Sequence, residues 1–290
     1  MAVAAAGSEY ISPVGAGVGL TLGGGIDGGG TEGIDGGGVG GGIEGSMDIR
    51  LYFYYRPPAV ASIHEMKPRL TLATALLPDG TPLELQEHDG RRSLAVRGQQ
   101  IAGPATRVVE EECARLACAP FKPVRQPKIW FAGLGLGQSV AAACASLPQK
   151  RGTFFVAEPV AELVKWQREH FADVGLMSDS RIVIEQDAGP SGLASHDGSL
   201  HAIILHTETA PIGANGKSLV ENKRWLTAAY DALQPGGLLA IASSRPLASL
   251  YRTLERTGFT VIEHRVASST TAKRPRLLPV WLARKGKAES

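Results

Sequence analysis

The sequence predicts an α/β fold: a mostly parallel, doubly wound sheet with one antiparallel strand, preceded by a small antiparallel β-hairpin domain. Three observations carry this reading. From about residue 128 onward, apolar strand-like runs alternate with helix-like segments, the pattern of βαβ units. The first of these runs, Ile129–Ala132, passes directly into three alternating glycines, Gly133, Gly135 and Gly137. The chain closes on two strand-like runs, Phe259–Val266 and Val280–Arg284, with only a polar loop between them, so one must run antiparallel.

The elements follow in order. Residues 13–45 are low in complexity, with a loose Gly-Gly-Gly-Ile-Asp/Glu-Gly repeat. Such a composition buries too little surface to offset its ordering entropy, so disorder is expected there. Residues 46–65 hold an aromatic, strand-like run (Tyr52, Phe53, Tyr54, Tyr55) broken by Pro57 and Pro58. Residues 1–65 therefore read as a Gly-rich extension and linker, an over-called upstream stretch, with the organised protein starting at Met66. Leu70–Leu77, Leu83–His88 and Ser93–Arg97 read as strands separated by the turn residues Pro78-Asp79-Gly80-Thr81 and Asp89-Gly90. They make a hairpin domain over 66–107. Val108–Ala119 has helical spacing and opens a second domain over 108–285; residues 286–290 are a tail.

Within that second domain Thr153–Ala157 is a strand ending on Glu158, Arg181–Glu185 a third strand, and His201–Leu205 a fourth, ending in His206-Thr207-Glu208. Leu226–Leu233 has helical spacing and is expected to close at Pro235-Gly236-Gly237 before a fifth strand, Leu238–Ala242. Leu247–Thr257 reads as a helix stopped by Gly258.

The strand–glycine–helix–strand segment reads as a nucleoside site. Glycines let the backbone turn tightly and let a ligand approach without a Cβ in the way. Glu158 ends the next strand about 20 residues on, where a carboxylate accepts hydrogen bonds from two ribose hydroxyls. The spacing is G-x-G-x-G. The dinucleotide pattern G-x-G-x-x-G fits neither register, because Gln138 and Val140 fall where its last glycine belongs. A sulfonium nucleoside of the S-adenosylmethionine type suits this loop better than a pyrophosphate. The competing reading is a plain strand–turn–helix with packing glycines. Asp187, after the third strand, reads either as an acid for the adenine amino group or as a cap for the next helix. His206 reads either as a base, given its near-neutral ordinary pKa, or as a strand-end histidine bonded to backbone. Glu110, Glu111 and Glu112 read either as an acidic rim or as a solvated helix face, the ordinary fate of such a run.

Bulk properties exclude several classes. The chain has 290 residues, 43% of them hydrophobic, with a formal net charge of +2. This exerts no general pull toward nucleic acid or membrane. Lys273, Arg274 and Arg276, and then Lys285 and Lys287, read as solvated basic surface. No apolar run approaches the ~18–20 residues that span a bilayer, and nothing resembles a secretory leader, so the cytoplasm is the expected compartment. Cys113, Cys118 and Cys144 read as reduced core residues, and no Cys/His cluster has metal spacing.

From Met66 onward, over about 225 residues, the chain resembles the spermidine synthase-like (polyamine aminopropyltransferase) family, particularly a bacterial branch. The matching residues are the Pro78-Asp79-Gly80 hairpin, the Val108–Leu116 helix, Phe131-Ala132-Gly133-Leu134-Gly135-Leu136-Gly137, and Val156-Ala157-Glu158-Pro159. Ala202-Ile203-Ile204-Leu205-His206, Leu233-Gln234-Pro235-Gly236-Gly237 and Val280–Arg284 complete them. The single motifs are shared by many adenosylmethionine-dependent transferases; their order and the hairpin domain discriminate. The resemblance implies a Rossmann-like class I methyltransferase fold and aminopropyl transfer from decarboxylated S-adenosylmethionine to a small-molecule amine, with no metal and with a homodimer paired through the hairpin domains. It implies donor binding by Gly133, Gly135, Gly137, Glu158 and Asp187. The chain departs from the family where the acceptor chemistry lies. His206 stands in place of the family's aspartate after the fourth strand, with Glu208 two residues on as its substitute. Gly98 is followed by Gln99, Gln100 and Ile101 without a clear equal of the family's glutamine, and Glu110 stands nearest the family's tyrosine. These departures keep two other functions open: an S-adenosylmethionine-dependent methyltransferase on the same scaffold, and a non-catalytic nucleoside-binding homologue.

Overall fold

A computed structural model describes residues 68–172, 175–210 and 218–286. The expected extension over 1–65, its aromatic run, the start at Met66 and the end of the tail, including Lys287, lie outside the described residues. Ser62–Ser290 forms one compact unit.

The unit opens with four strands: β1 (Leu70–Leu76), β2 (Pro82–His88), β3 (Arg91–Val96) and β4 (Gln99–Ala102). They pair antiparallel in chain order. The sequence reading contains three of them; β4 is too short to show an alternation of its own. Two turns use left-handed backbone: Asp89-Gly90 joins β2 to β3 and Arg97-Gly98 joins β3 to β4. The inner face (Leu83, Leu85, Leu94, Ala102) does not make a core of its own. It packs with Val109, Cys113 and Ala117 of helix α1 (Pro104–Cys118) and with Val140 and Ala143 of α2 (Gln138–Ser146). Helix α1 starts four residues before its expected position because Pro104 at its first turn needs no N–H partner.

The remaining strands are β5 (Lys128–Ala132), β6 (Thr153–Ala157), β7 (Ile182–Glu185), β8 (Leu200–His206), β9 (Leu233–Ala242), β10 (Phe259–Ala267) and β11 (Leu277–Lys285). They form one sheet in the order β10-β11-β9-β8-β5-β6-β7. All neighbours from β9 to β7 are parallel, and β11 is antiparallel to both β9 and β10. The fold is therefore the expected Rossmann-like one, a parallel sheet with one reversed strand near its edge. Helices cover both faces. α1, α2 and α3 (Ala161–His170) pack on one core, with Ile129, Phe131, Phe154 and Val156 beneath them. α4 (Pro190–Ala194), α5 (Lys223–Ala232) and α6 (Leu250–Thr257) pack on the other, over Trp130, Ile203, Leu205 and Leu239.

One expectation needs correction. Pro235-Gly236-Gly237 does not separate a helix from a strand. It lies inside β9, which begins at Leu233, and forms a bulge there: Leu200 pairs with Leu233 and Ala202 already pairs with Leu238. The apolar residues that extended the helical pattern to Leu233 end the helix one residue earlier, and Leu233 begins the strand.

Candidate functional site

The parallel strands β5, β6, β7 and β8 end at the same edge of the sheet, and that edge collects the polar groups. Leaving β5, the chain turns through Gly133–Gly137 into α2. Gly133 N donates to Ala157 O on the neighbouring strand at 3.0 Å, and Gly137 N donates to Leu134 O at 2.9 Å. Two of the glycines do different work. At Gly137 (φ +77°) an added Cβ would lie 2.6 Å from Leu176 Cδ2, so this position is closed by packing. At Gly135 (φ +54°) the nearest neighbour of an added Cβ is the Thr209 side chain, at an ordinary 3.4–3.5 Å. Thr209 thus stands over the loop at Gly135.

Glu158 is 3% exposed. Its carboxylate straps the loop to the following turn: Oε2 accepts from Leu134 N at 2.9 Å and Oε1 from Val160 N at 2.8 Å. Burial pushes its pKa up to about 6, although both amide bonds favour the charged form. Each carboxylate oxygen still has one lone-pair position in hand. Asp187 is exposed and works within its own loop. It accepts from Gly189 N at 2.7 Å and from Ser191 Oγ at 2.6 Å, the geometry of the helix-start alternative for α4. The Ser191 hydroxyl, with the Gly189 and Gly192 amides, holds its carboxyl below the ordinary range.

At the end of β8 the turn Thr207-Glu208-Thr209 folds back over the strand, with Thr209 N and Ala210 N both donating to His206 O. His206 is 6% exposed and lies between two carboxylates. Its Nε2 is 3.4 Å from Glu208 Oε2 and its Nδ1 is 4.0 Å from Glu110 Oε1. Thr209 Oγ1 is 3.5 Å from Nδ1. Glu208 is pinned across to the end of β9. Its Oε1 accepts from Ser244 N at 2.9 Å, from Ser244 Oγ and from Ser243 Oγ at 3.3 Å, and its Oε2 accepts from Thr207 Oγ1 at 2.9 Å. Burial raises the Glu208 pKa, but the His206 imidazole and the Ser244 and Thr207 bonds outweigh it and hold the group below the ordinary range.

The three-glutamate run divides. Glu111 and Glu112 are surface acids paired with Arg107 and Arg115 on the same helix. Glu110 is 3% exposed, so the solvated-face reading fails for it. Thr106 Oγ1 donates to its Oε1 at 2.7 Å. The sequence signal was present: Glu110, Cys113 and Ala117 recur at helical spacing on the apolar face of α1. Thr106, Thr209, Ser243 and Ser244 carried no comparable signal, because only the fold brings them to the site. Among the described residues no group of three or more His, Cys, Asp or Glu side chains is placed to hold a metal ion, and no helix is long and apolar enough to cross a membrane.

The architecture is that of the spermidine synthase and methyltransferase class of Rossmann-like α/β proteins. The spermidine synthase from Thermotoga maritima superposes with a TM-score of 0.59 at 15% identity, covering 74% of this chain and 73% of its own. A spermidine synthase in complex with the transition-state analogue AdoDATO gives 0.58 at 16% identity, covering 74% of this chain and 72% of its own. A probable spermidine synthase from Corynebacterium glutamicum ATCC 13032 gives 0.52 at 15% identity, covering 75% of this chain and 81% of its own. No protein-family model matches the chain, and no curated protein matches it in sequence. At such identity the likeness establishes the fold; chemistry must be argued from the site.

Proposed function

We propose that this chain is a spermidine synthase-like transferase that moves an aminopropyl group from decarboxylated S-adenosylmethionine to an amine acceptor. The observation that carries the reading is the charge of the groups described above. They are three carboxylates after strand ends, Glu158, Asp187 and Glu208, a fourth on helix α1, Glu110, beside His206, and the His206 imidazole at the end of β8. A decarboxylated donor is positive at its sulfonium and at its terminal ammonium, and an amine acceptor is positive as well. The carboxylated donor adds an anion that would face these acids, an arrangement Coulomb's law disfavours most where water is scarce. In the reaction the acceptor nitrogen's lone pair forms a bond to the methylene beside the sulfonium. The C–S bond breaks, its electrons stay on sulfur, and a neutral thioether nucleoside leaves. The acceptor nitrogen gives up a proton, which His206 takes, with Glu208 offsetting the charge that results. Gly135 and Glu158 fit the donor's sugar and sulfur region, provided that Thr209 turns aside.

One observation favours a second reading, a non-catalytic homologue: both Glu158 oxygens already serve backbone amides, and Thr209 stands against Gly135. Calorimetric titration with decarboxylated S-adenosylmethionine, S-adenosylmethionine and methylthioadenosine separates the readings. Preference for the decarboxylated donor supports the proposal. Preference for the carboxylated one replaces it with methyl transfer. No binding of any of the three removes both transferase readings. If the donor binds, Glu158→Ala weakens it by ~1.5–3 kcal/mol, the worth of hydrogen bonds to a charged group; unchanged affinity takes Glu158 out of the site.

A further inference from the structure

We infer that the cleft bounded by the β2–β3 turn, α1 and α2 is a second binding site, which takes a small polyanion carrying two or more oxyanion groups, above all phosphates. The inference does not rest on the transferase reading: Glu158, His206 and Glu208 do not line this cleft.

The cleft has the size of a small-molecule site. Its volume is about 960 Å³, at the upper end of the ~300–1,000 Å³ of ordinary ligand pockets. Its cations come from two walls. Arg91 and Arg92 stand at the start of β3, beside the Asp89-Gly90 turn, and Arg107 and Arg115 stand on α1. Glu111 is the one carboxylate among the lining residues. The rest of the lining is uncharged, with Leu136, Ala141, Ala145 and Phe171 among it. Charges of one sign around a concave surface with apolar walls focus the field and gather counter-charge.

The guanidinium groups keep donors in hand. Each has five N–H donors. Arg107 meets Glu111 through Nε at 2.7 Å, and Arg115 meets Glu112 through one terminal nitrogen. Arg92 is fixed in place: a terminal nitrogen donates to His170 O, the guanidinium lies 4.9 Å from the Phe171 ring centre, and Glu87 Oε2 is 3.6 Å from Nε. The Arg91 side chain has no partner among the described residues, and the residue paired with it across the turn is His88, not an acid. Exposed ion pairs contribute little, so an oxyanion can share or replace the carboxylates of the others. Arg107 and Arg115 lie eight residues apart on one helix, a rise of about 12 Å, and Arg91 belongs to the other wall. One tetrahedral oxyanion cannot reach them all; a chain of phosphoryl groups can, and guanidinium forks match phosphate oxygens two at a time.

The test is calorimetric titration of the full-length protein with tripolyphosphate and with inorganic phosphate, in metal-free buffer at ~0.15 M salt, where long-range surface attraction is screened. Tripolyphosphate is expected to bind once per chain and at least about tenfold more tightly than inorganic phosphate, as the gain of one further charged hydrogen bond requires. Arg91→Gln and Arg115→Gln, exposed residues on the two walls, are each expected to weaken tripolyphosphate about tenfold. Arg91 has no internal side-chain partner to lose, so its variant reports on the ligand and not on folding. Ala145→Glu, at an exposed position of α2, places an acid in the cleft and is expected to abolish binding. Arg274→Gln, in the exposed basic loop between β10 and β11, is expected to leave the affinity unchanged. Three results overturn the inference: no tripolyphosphate binding at millimolar concentration, equal affinity for the two anions, or a loss in Arg274→Gln as large as that in Arg91→Gln. Saturating methylthioadenosine keeps the two proposals apart. Tripolyphosphate binding that persists beside it belongs to the cleft, and binding that it abolishes belongs to the strand-end site and overturns the inference. Failure of methylthioadenosine and both donors to bind removes the transferase reading and leaves the cleft's titration standing.

Discussion

Glu158 makes the protein's stability depend on pH in a direction unusual for a carboxylate. Burial raises its pKa from an ordinary 4.5 to about 6. Between those values the folded chain binds more protons than the unfolded chain. The contribution of Glu158 to stability is therefore greatest below about pH 4.5, falls as the pH rises to about 6, and is flat above that. A tenfold change in proton affinity is worth about 1.4 kcal/mol, so the fall attributable to Glu158 is about 2 kcal/mol. Glu158→Gln isolates it, since the amide does not titrate. The variant also has one acceptor oxygen where the carboxylate has two, so it leaves either Leu134 N or Val160 N without a partner, at a cost of about 1–3 kcal/mol that is independent of pH. Urea denaturation of both proteins at about pH 4.5 and about pH 7 gives the comparison. The wild type's advantage over the variant should shrink by about 2 kcal/mol on going to the higher pH. Other acids titrate in both proteins and cancel. Ribose hydroxyls, if they donate to Glu158, favour its ionised form, so donor binding near pH 6 should release a proton, seen as a dependence of the binding heat on buffer. A constant gap between the two proteins would refute the account of Glu158 as a buried, proton-holding acid.

The other predictions concern the scaffold of the site. Gly137→Ala should cost about 2–4 kcal/mol, because the left-handed backbone is added to a Cβ 2.6 Å from Leu176 Cδ2, while Gly135→Ala should cost about 1–2 kcal/mol from the backbone alone; urea midpoints in the reverse order would show that packing is not what closes Gly137. Arg181 donates to Leu147 O at 2.6 Å and Cys144 O at 3.3 Å, pairs with Asp179 at 2.6 Å, and lies over the Phe154 ring, tying the end of α2 to the start of β7. Arg181→Ala should lose about 2–4 kcal/mol, and Arg181→Lys should recover only part of it because an ammonium lacks the planar fork; full recovery by lysine would mean that charge alone holds the joint.

The fold was legible because its signals are local. Ile129–Ala132 running into Gly133, and Thr153–Ala157 running into Glu158, specify a βαβ unit within some 30 residues, and β10 and β11 announce a reversed strand by lacking a helix between them. Local signals also explain the misses. Pro235-Gly236-Gly237 carries turn residues, but a bulge uses the same residues as a turn, and the pairing of Leu200 with Leu233 that distinguishes the two is a tertiary fact. The candidate site divides the same way. Glu158 and Glu208 follow strand ends, His206 is the last residue of β8, and all three could be named from their neighbours. Glu110 lies 96 positions before His206 and meets it only because α1 packs alongside β8 and β9. Its run of three acids looked like surface, and two of the three are.

The two strand-end acids are held in opposite ways, and the proposed function gives that difference a use. Glu158 takes two backbone amides, has no cationic neighbour described, and keeps its proton to about pH 6. Glu208 takes four donors, faces an imidazole and is held ionised. Neighbouring groups whose environments push their pKa values apart are what divides acid from base labour in a site. Glu208 Oε1 is filled by Ser243 and Ser244, while Oε2 accepts from Thr207 alone and faces His206; on the proposed reading the group serves as a fixed anion. Glu158 retains unfilled lone pairs and a proton it can lose, so on the proposed reading it is the group that answers to a ligand. A sugar arriving at Gly135 would meet the adjustable acid first, and the cost of ionising it, about 2 kcal/mol near neutral pH, has already been met by folding. On the proposed reading, donor hydroxyls would then recover that cost instead of adding to it.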